Sequence, residues 1–485
     1  MSYATNSIRN ICLLGHAGSG KTALTESLLY MTGAIDRIGR PADGNTVCDY
    51  DPEEIRRQIS ISASVAPLEY KGCKINVLDT PGSVDFSGAV MEALRAADAA
   101  VIVCSAKDGI TAGLERAWKY CEERDMPRFL YISKIDEDNS DYNATFEALR
   151  EKYGNRIAPL VVPIWDEQKK VTGLIDVLNK RAYEMHDLKR VEIEVPEGKD
   201  TVITEFNNAL KESVAETSEE FMDKFFSGED FTYAEMIKGL RQGVRELSLF
   251  PVLCGSGINC MGSLMLMDNI VDLFPDPTEG NYHKATKADG ETEEFVVSPG
   301  GVPSAYVFKT VSDQYGKYSF VKVLSGSITP DTTLVNARTG ETEKLGRLYT
   351  MCGKKATEVK ELTCGDIGYQ NVETARQDGV VLAQSIDKFT EVLPGSVVNM
   401  TVGRYDRRRY TAGVTVTVDV PQSGVTVRVT LVDENGQESD MYAATYNEEG
   451  RLELHVTLRS ETSGVRTWRL YLDGNFKSEA TAVLQ

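Results

Sequence analysis

The chain has 485 residues, of which 41% are hydrophobic and 26% are charged, and its formal net charge is -20. At roughly 150 residues per domain, this length predicts about three domains. The acidic balance argues against a protein that coats nucleic acid through bulk positive charge, although local patches could still contact a ribonucleoprotein. No apolar run approaches the ~20 residues of a membrane helix, and the N-terminus has no signal-peptide pattern.

The nine cysteines form no CxxC pair. An odd number of cysteines without a metal-ligand spacing predicts reduced, buried thiols. We therefore expect a cytoplasmic protein that is neither secreted nor inserted in a membrane and that has no zinc ribbon. We also expect no DNA partner.

Residues 1–283 alternate short apolar runs with helical patterns, which is typical of a parallel α/β sheet. The continuous apolar runs predict strands over 8–14, 75–78, 99–103 and 129–132. Alternating apolar residues at Ile59, Ile61, Ala63 and Val65 predict a further, half-exposed strand.

Residues 158–250 interrupt this alternation, and we expect them to form an inserted α+β subdomain. One of its helices is predicted to begin with the capping-box spacing of Thr232 and Glu235. An apolar stripe at Met236, Leu240 and Val244 then follows at helical spacing. The sheet pattern resumes at residue 250.

The remaining chain has a different character. Residues 284–301 are a polar, acidic stretch predicted to be a linker. Residues 302–400 show the two-residue periodicity of a β-barrel. Residues 401–410 form a basic linker, and residues 411–485 have short alternating strands and turn signals that predict an immunoglobulin-like β-sandwich module.

A phosphate-binding loop is the strongest motif in the sequence. The pattern GxxxxGK[ST] is matched by Gly15-His16-Ala17-Gly18-Ser19-Gly20-Lys21-Thr22, between a predicted strand and a predicted helix. Such a loop points successive backbone N–H groups at phosphate oxygens. Lys21 would neutralise the β- and γ-phosphates, and the Thr22 hydroxyl would ligate Mg²⁺.

Two further motifs follow predicted strands. Asp79 ends one strand, where its carboxylate can hold Mg²⁺, and Gly82 can offer its N–H to a γ-phosphate. Ser133, Lys134 and Asp136 follow the next motif-bearing strand. A carboxylate at Asp136 can accept hydrogen bonds from the guanine N1–H and N2–H groups, which adenine lacks, while the Lys134 stem covers the base.

A fourth segment contains Ser256 and Gly257, where a backbone N–H could meet the guanine O6. Taken alone, this segment and the Lys-x-Asp pattern would be weak signals. Their order after the phosphate loop is what gives them weight.

The segments GHAGSGKT, DTPGSVDF, SKID and FPVLCGSGIN, in this order, resemble a translational GTPase of the elongation factor G family. The region from Glu216 to Val252 resembles the extra subdomain of that family, and Val302–Gly368 resembles its second domain. The resemblance implies an α/β P-loop GTPase domain with an α+β insertion, followed by a β-barrel. It also implies GTP and GDP as ligands, Mg²⁺ as cofactor and the ribosome, with its rRNA and proteins, as partner.

Four positions depart from the family pattern. Gly18 stands at the usual aspartate of the loop, and Ser133 replaces an asparagine. Ser60 replaces the threonine of the family's RGIT segment and keeps a hydroxyl for Mg²⁺. Ser83 stands where the family has a catalytic histidine, and loss of a positioned catalytic group typically costs on the order of 10²–10⁴ in rate.

The resemblance therefore predicts GTP binding with slow hydrolysis, with Ser83 and Lys21 as the catalytic candidates. Three functions stay open: a translocase-type factor, a relative of the ribosomal-protection proteins, and a poorly hydrolysing regulatory module. In the third, the C-terminal β module binds an unknown partner, and the chain is a fused or truncated gene product.

Overall fold

A computed structural model of the chain describes residues 3–186, 188–279, 283–286, 292–295, 297–313, 316–336, 342–372, 381–384, 400–402, 410–421, 425–432, 438–446, 450–460 and 464–484. The chain divides into two compact units. The first comprises Met1–Thr374 and Val381–Val402, and the second comprises Ala375–Val380 and Gly403–Gln485.

The first unit begins with an α/β region. Its strands are β1 Ile8–Leu14, β2 Ser64–Tyr70, β3 Cys73–Asp79, β4 Ala99–Ser105, β5 Arg128–Ser133, β6 Ile157–Pro159, β7 Val161–Trp165, β8 Val171–Asp176, β9 Arg181–His186, β10 Lys189–Ile193 and β11 Phe250–Cys254. Its helices are α1 Lys21–Met31, α2 Pro52–Arg57, α3 Ser87–Ala96, α4 Ala112–Glu122, α5 Tyr142–Tyr153, α6 Asp200–Ala215, α7 Glu219–Phe226, α8 Tyr233–Arg245 and α9 Ser263–Leu273.

A seven-stranded sheet in the order β2-β3-β1-β4-β5-β11-β6 forms the core of this region. Its neighbouring strands are parallel except for β2 and β3. Strands β1, β4 and β5 are buried along their whole length, which explains their continuous apolar runs. The loops after β1, β3, β5 and β11 meet at the carboxyl edge of the sheet, where ligands bind in such folds.

The strand predicted over residues 59–65 is wrong over 59–63, because β2 begins only at Ser64. The Glu54 Oε1 atom accepts hydrogen bonds from the backbone N–H groups of Ile61 at 3.0 Å and Ser62 at 3.1 Å. These two amides are therefore engaged by a side chain, and the alternation belongs to a loop.

The inserted subdomain contains a four-stranded antiparallel sheet in the order β10-β9-β8-β7, with α6, α7 and α8 beside it. The capping box of Thr232 and Glu235 begins α8, as the sequence predicted. Met236, Leu240 and Val244 are buried, which confirms the predicted stripe.

The rest of the first unit is all β. Its strands are β12 His283–Thr286, β13 Thr292–Phe295, β14 Ser304–Asp313, β15 Gly316–Ser325, β16 Ser327–Ile328, β17 Thr333–Val335, β18 Thr342–Lys344, β19 Leu348–Cys352, β20 Lys355–Val359, β21 Leu362–Thr363, β22 Ile367–Val372, β23 Val381–Gln384 and β24 Met400–Val402. We call β14–β22 the barrel, whose largest sheet has the order β14-β15-β22-β19-β20. Part of the predicted linker over 284–301 lies in the antiparallel pair β12–β13.

Buried polar contacts join the barrel to the α/β region. Lys322 on β15 forms an ion pair with Asp98, and both side chains are almost fully buried. Lys74 on β3 forms a second buried pair with Asp366, at 2.7 Å. Within the α/β region, Asn10 Nδ2 donates to Asp98 Oδ2 at 2.9 Å and so orients one partner of the first pair. Matched charges therefore contribute to this interface in addition to apolar packing.

The second unit consists of β25 Tyr410–Val420, β26 Val425–Val432, β27 Glu438–Tyr446, β28 Gly450–Ser460, β29 Gly464–Leu472 and β30 Asn475–Leu484. Strands β25 and β28 pair with each other, and the other four form a sheet in the order β27-β26-β29-β30. The unit has its own apolar core, which includes Val418, Val427 and Leu458. Of the basic linker predicted over 401–410, residues 401–402 lie in β24, residue 410 begins β25, and residues 403–409 lie outside the described residues.

All nine cysteines are free, and seven of them are buried. No helix within the described part of the chain is long and apolar enough to cross a membrane.

Candidate nucleotide-binding site

The phosphate-binding loop connects β1 to α1 and lies at the carboxyl edge of the sheet. Its residues His16 to Gly18 are exposed, whereas Ser19 is buried. Gly15 has φ +141°, and a Cβ atom there would lie 2.3 Å from the Val103 carbonyl oxygen on β4. Only glycine lets the loop turn this closely over the sheet.

Lys21 is the first residue of α1, and its side chain is buried beneath the loop. Its Nζ atom donates to the carbonyl oxygens of Gly15 at 3.1 Å and His16 at 2.9 Å. Burial lowers the pKa of Lys21 to about 8, while the carboxylates of Asp79 and Asp49 oppose this effect. The amine therefore closes the loop from below and places a cation where phosphates would sit.

Thr22, Asp79 and Ser60 come together beside Lys21. Thr22 Oγ1 donates to Asp79 Oδ2 at 2.7 Å and lies 3.2 Å from Ser60 Oγ. The structure thus brings the three residues that the sequence assigned to a metal site into one cluster, although they are up to 57 residues apart along the chain.

Asp49 is a fourth member of this cluster, and no sequence motif marked it. Burial raises its pKa, Glu54 adds to this, and the hydroxyls of Ser60 and Thr22 oppose it. Burial also raises the pKa of Asp79 to about 7, and the charge of Asp49 contributes. Two carboxylates in one buried place each disfavour the charge of the other.

The cluster fits a hard divalent cation. The Oδ1 atoms of Asp49 and Asp79 are buried and have no hydrogen-bond partner. Carboxylate and hydroxyl oxygens are the ligands that Mg²⁺ prefers, with water and phosphate oxygens completing its shell. Within the described ranges there is no group of three or more His, Cys, Asp or Glu that could hold a metal, so the fit rests on two carboxylates and two hydroxyls.

Two glutamates hold the loop that carries Asp49 and Ser60. We call residues 39–63 the switch segment. The buried Glu26 on α1 accepts hydrogen bonds from the N–H groups of Gly39 at 2.9 Å and Val47 at 2.6 Å. Glu54, which itself belongs to the segment, binds the amides of residues 61 and 62 near the other end. These anchors were not predicted from the sequence, because they join residues that no motif links.

The guanine motif lies after β5. Asp136 Oδ2 accepts hydrogen bonds from Ser256 Oγ at 2.9 Å and from Asn259 Nδ2 at 2.5 Å. These two donors orient the carboxylate. Asn259 lay inside the segment FPVLCGSGIN, but no motif assigned it a role. Lys134 beside Asp136 has φ +59°, a backbone conformation that few non-glycine residues adopt.

The loop after β11 lies against the first turn of α1. A Cβ atom at Gly257 would be 2.8 Å from the carbonyl carbon of Ala23 and 2.9 Å from the backbone nitrogen of Leu24. Ser133 Oγ lies 2.6 Å from the Ser19 carbonyl oxygen. The guanine-side residues are therefore packed directly against the phosphate loop.

The segment after β3 approaches the loop from the other side. A Cβ atom at Gly82 would lie 2.4 Å from the backbone nitrogen of Ala17, so no side chain fits between them. The half-buried Ser83 follows, and its hydroxyl donates to Asp85 Oδ2 at 3.2 Å. The group at the position of the family's histidine is thus turned to a neighbouring carboxylate.

This order of sites along a parallel sheet defines a P-loop GTPase. Residues 6–276 match the family "Elongation factor Tu GTP binding domain", and residues 303–373 match "Elongation factor G domain 2". The chain belongs to the elongation factor G family of translational GTPases, as the sequence resemblance indicated.

Two relatives support this assignment. An "Elongation factor G-like protein" of Thermotoga maritima is 33% identical over 361 residues, which is 74% of this chain and 51% of that protein. A crystal structure of a protein from Thermus thermophilus superposes with a TM-score of 0.68 at 31% identity, covering 89% of this chain and 59% of that one. The chain spans about half the length of the curated relative that it matches.

Proposed function

We propose that this chain binds GTP and GDP together with Mg²⁺ and acts on the ribosome as a cytoplasmic translation factor. The observation that carries the proposal is the buried cluster in which Thr22 contacts both Asp79 and Ser60. Membership of the elongation factor G family supports the ribosome as partner, and nine free cysteines agree with a reducing compartment.

In this proposal the loop from Gly15 to Gly20 binds the phosphates through backbone N–H groups, and Lys21 supplies positive charge. The residues that would hold Mg²⁺ are Thr22, Ser60 and Asp79, and we add Asp49 to them. When bound, the ion would neutralise charge on the phosphate oxygens. The Gly82 N–H would face the γ-phosphate across the narrow gap to Ala17.

The base would be read on the other side of the loop. Asp136 would accept the guanine N1–H and N2–H groups, and its two donors, Ser256 and Asn259, would hold it in place. The stem of Lys134 would cover one face of the base. Gly257 would bring a backbone N–H to the guanine O6, since it lies against the first turn of α1.

We expect hydrolysis of GTP to be slow. Ser83 has no ring nitrogen with which to orient an attacking water, and its hydroxyl is directed at Asp85. The same contact favours a second candidate function, a GTP-binding regulatory module with residual turnover. In that case the second unit, which has its own core, would bind a partner.

Measuring phosphate release from GTP by the full chain, with and without ribosomes, separates the two candidates. A translation factor should turn over faster on ribosomes even if its absolute rate is low. Thr22→Ala, which removes a hydroxyl from the cluster, is the matched control and should abolish the stimulated rate. Nucleotide binding with no effect of ribosomes would favour the regulatory module, and no binding of GTP or GDP would contradict both.

A further inference from the structure

Lys309 of the barrel is buried, and it is not among the residues assigned above to the nucleotide site. It lies on β14, where the pairing with β15 is irregular between Val307 and Lys309. Phe308 and Lys309 are consecutive in a strand and yet both are buried. An irregularity of this kind re-aims a side chain out of the normal alternation, and here it sends an amine into the interior.

The amine of Lys309 forms a hydrogen bond with the switch segment. Its Nζ atom donates to the Ala63 carbonyl oxygen at 2.5 Å and lies 5.6 Å from the centre of the Phe320 ring. Burial lowers the pKa of Lys309, while the carboxylates of Glu92 and Glu54 favour its charged form. A buried ammonium group is costly unless it is paired, so the bond to Ala63 offsets part of the cost of burying this amine.

Ala63 is three residues from Ser60, which approaches Thr22 in the proposed metal cluster. The two residues between them, Ile61 and Ser62, donate to Glu54, which belongs to the switch segment itself. The end of the switch segment is therefore bound internally by Glu54 and from the barrel by Lys309.

The barrel contacts the same region at a second place, the turn between β19 and β20. The Gly353 N–H donates to the Val65 carbonyl oxygen at 2.9 Å. Gly353 has φ +55°, and a Cβ atom there would lie 2.0 Å from the Val47 carbonyl oxygen. The barrel thus touches the switch segment near Asp49 as well as near Ser60.

We propose that Lys309 is a positioning residue for GTP: through the Ala63 carbonyl, the barrel holds the switch segment where Ser60 can serve the γ-phosphate and its metal ion. The inference rests on the proposed function. GDP lacks the γ-phosphate, and its binding depends on the phosphate loop and on Asp136. The barrel contact should therefore favour GTP over GDP.

The test compares the affinity of the full chain for GDP and for GTPγS, in Mg²⁺, between wild type and Lys309→Met. Methionine keeps the length and apolar stem of lysine and removes the donor. A hydrogen bond from a charged donor contributes about 1.5 kcal/mol or more, and about 1.4 kcal/mol corresponds to a tenfold change in affinity. We therefore expect GTPγS to bind about tenfold more weakly. GDP affinity should stay within about twofold, because GDP has no γ-phosphate for the switch segment to serve.

The matched control is Lys322→Met. Lys322 is also a buried barrel lysine with a partner in the α/β region, but that partner is Asp98 and not the switch segment. This change should leave the ratio of the two affinities unchanged, even if it lowers stability. If Lys309→Met alters both nucleotides equally, or neither, the inference is overturned while the proposed function stands.

A wild-type chain that binds neither nucleotide would overturn the proposed function and the inference together. If circular dichroism shows that Lys309→Met does not fold, Gly353→Ala makes the same test from the second contact. Its added Cβ would push the β19–β20 turn away from Val47, and GTPγS should again weaken selectively. An unchanged ratio in that variant would refute the role of the barrel.

Discussion

The hydroxyl of Ser133 donates to the carbonyl oxygen of Ser19 at 2.6 Å and lies 3.1 Å from that of Cys104. Ser133 ends β5 and Ser19 lies in the phosphate loop, so this single bond joins the two halves of the proposed nucleotide site. The sequence assigned Ser133 to the guanine base as a shortened replacement for asparagine. Its contacts in the structure point to support of the loop.

Ser133→Ala should therefore weaken GDP and GTP to a similar extent. One lost hydrogen bond of about 1 kcal/mol corresponds to about fivefold in affinity, and calorimetry measures it. The control is Ser213→Ala, which removes a serine that also donates to a backbone carbonyl, on the exposed face of α6. A change in the preference between guanine and other bases would instead show that Ser133 contacts the base.

Asp136→Asn should change the preferred base. The carboxylate accepts from guanine N1–H and N2–H, whereas a carboxamide can donate to the O2 of xanthine. We expect GTP affinity to fall at least a hundredfold, on the scale of a lost buried donor–acceptor pair, and xanthosine triphosphate to bind better than GTP. Asp138→Asn removes the same charge at an exposed neighbouring position and should change nothing. Equal binding of ATP and GTP by the wild type would contradict the role of Asp136.

Ser83→His should raise the rate of GTP hydrolysis on ribosomes. A positioned imidazole typically contributes on the order of 10²-fold or more, and phosphate release in single-turnover experiments measures it. Ser83→Ala should leave the rate unchanged, because the hydroxyl is engaged by Asp85. Rapid hydrolysis by the wild type would show that some other group orients the water.

The charge of Asp79 should make stability depend on pH. Burial raises its pKa to about 7 in the fold, against about 3.9 in the unfolded chain. Between these two pKa values the folded state binds more protons than the unfolded chain. Without Mg²⁺, the stability that Asp79 contributes through its raised pKa is therefore fully present below about pH 4 and is lost as the pH rises to about 7. The slope is at most about 1.4 kcal/mol per pH unit.

The measurement is the melting temperature from pH 5 to 8, without Mg²⁺ or nucleotide, for wild type and Asp79→Asn. The wild type should lose stability relative to the variant up to about pH 7 and run parallel to it above that pH. Added Mg²⁺ should reduce the difference, since a bound cation favours the charged carboxylate. Parallel curves throughout would mean that Asp79 titrates normally.

Removing the chain from Gly403 onward should leave affinity for guanine nucleotides unchanged. The second unit has a separate core of alternating valines and leucines, and the residues proposed for the nucleotide site belong to the first unit. The excised unit should give β-type circular dichroism by itself. If truncation abolishes ribosome binding and spares nucleotide binding, the second unit is the part that contacts the partner. Loss of nucleotide affinity would show that the boundary is misplaced.

The sequence predicted those parts of the site that lie on one contiguous motif. The loop from Gly15 to Thr22 and the strand ends at Asp79 and Ser133 are where their spacing placed them. Hydrophobic periodicity succeeded for β1, β4 and β5, because a buried strand needs a continuous apolar run.

Prediction from the sequence failed where a side chain, and not a neighbouring strand, accepts the hydrogen bonds of backbone N–H groups. Alternation over residues 59–65 predicted a strand, but Glu54 binds the amides of Ile61 and Ser62. Asp49 and Asn259 were not identified from the sequence for a related reason. Asp49 interacts with the hydroxyls of Ser60 and Thr22, and Asn259 donates to Asp136, and no local pattern encodes such contacts.

The polar interface between the barrel and the α/β region has a consequence for synthesis of the chain. Asn10 and Asp98 are synthesised long before Lys322, which is 224 residues beyond Asp98. An apolar surface that stayed exposed over this length of synthesis would be prone to aggregation. The carboxylate of Asp98 and the amide of Asn10 are instead hydrated during this time. Their part of the interface can form only after Lys322 has been synthesised.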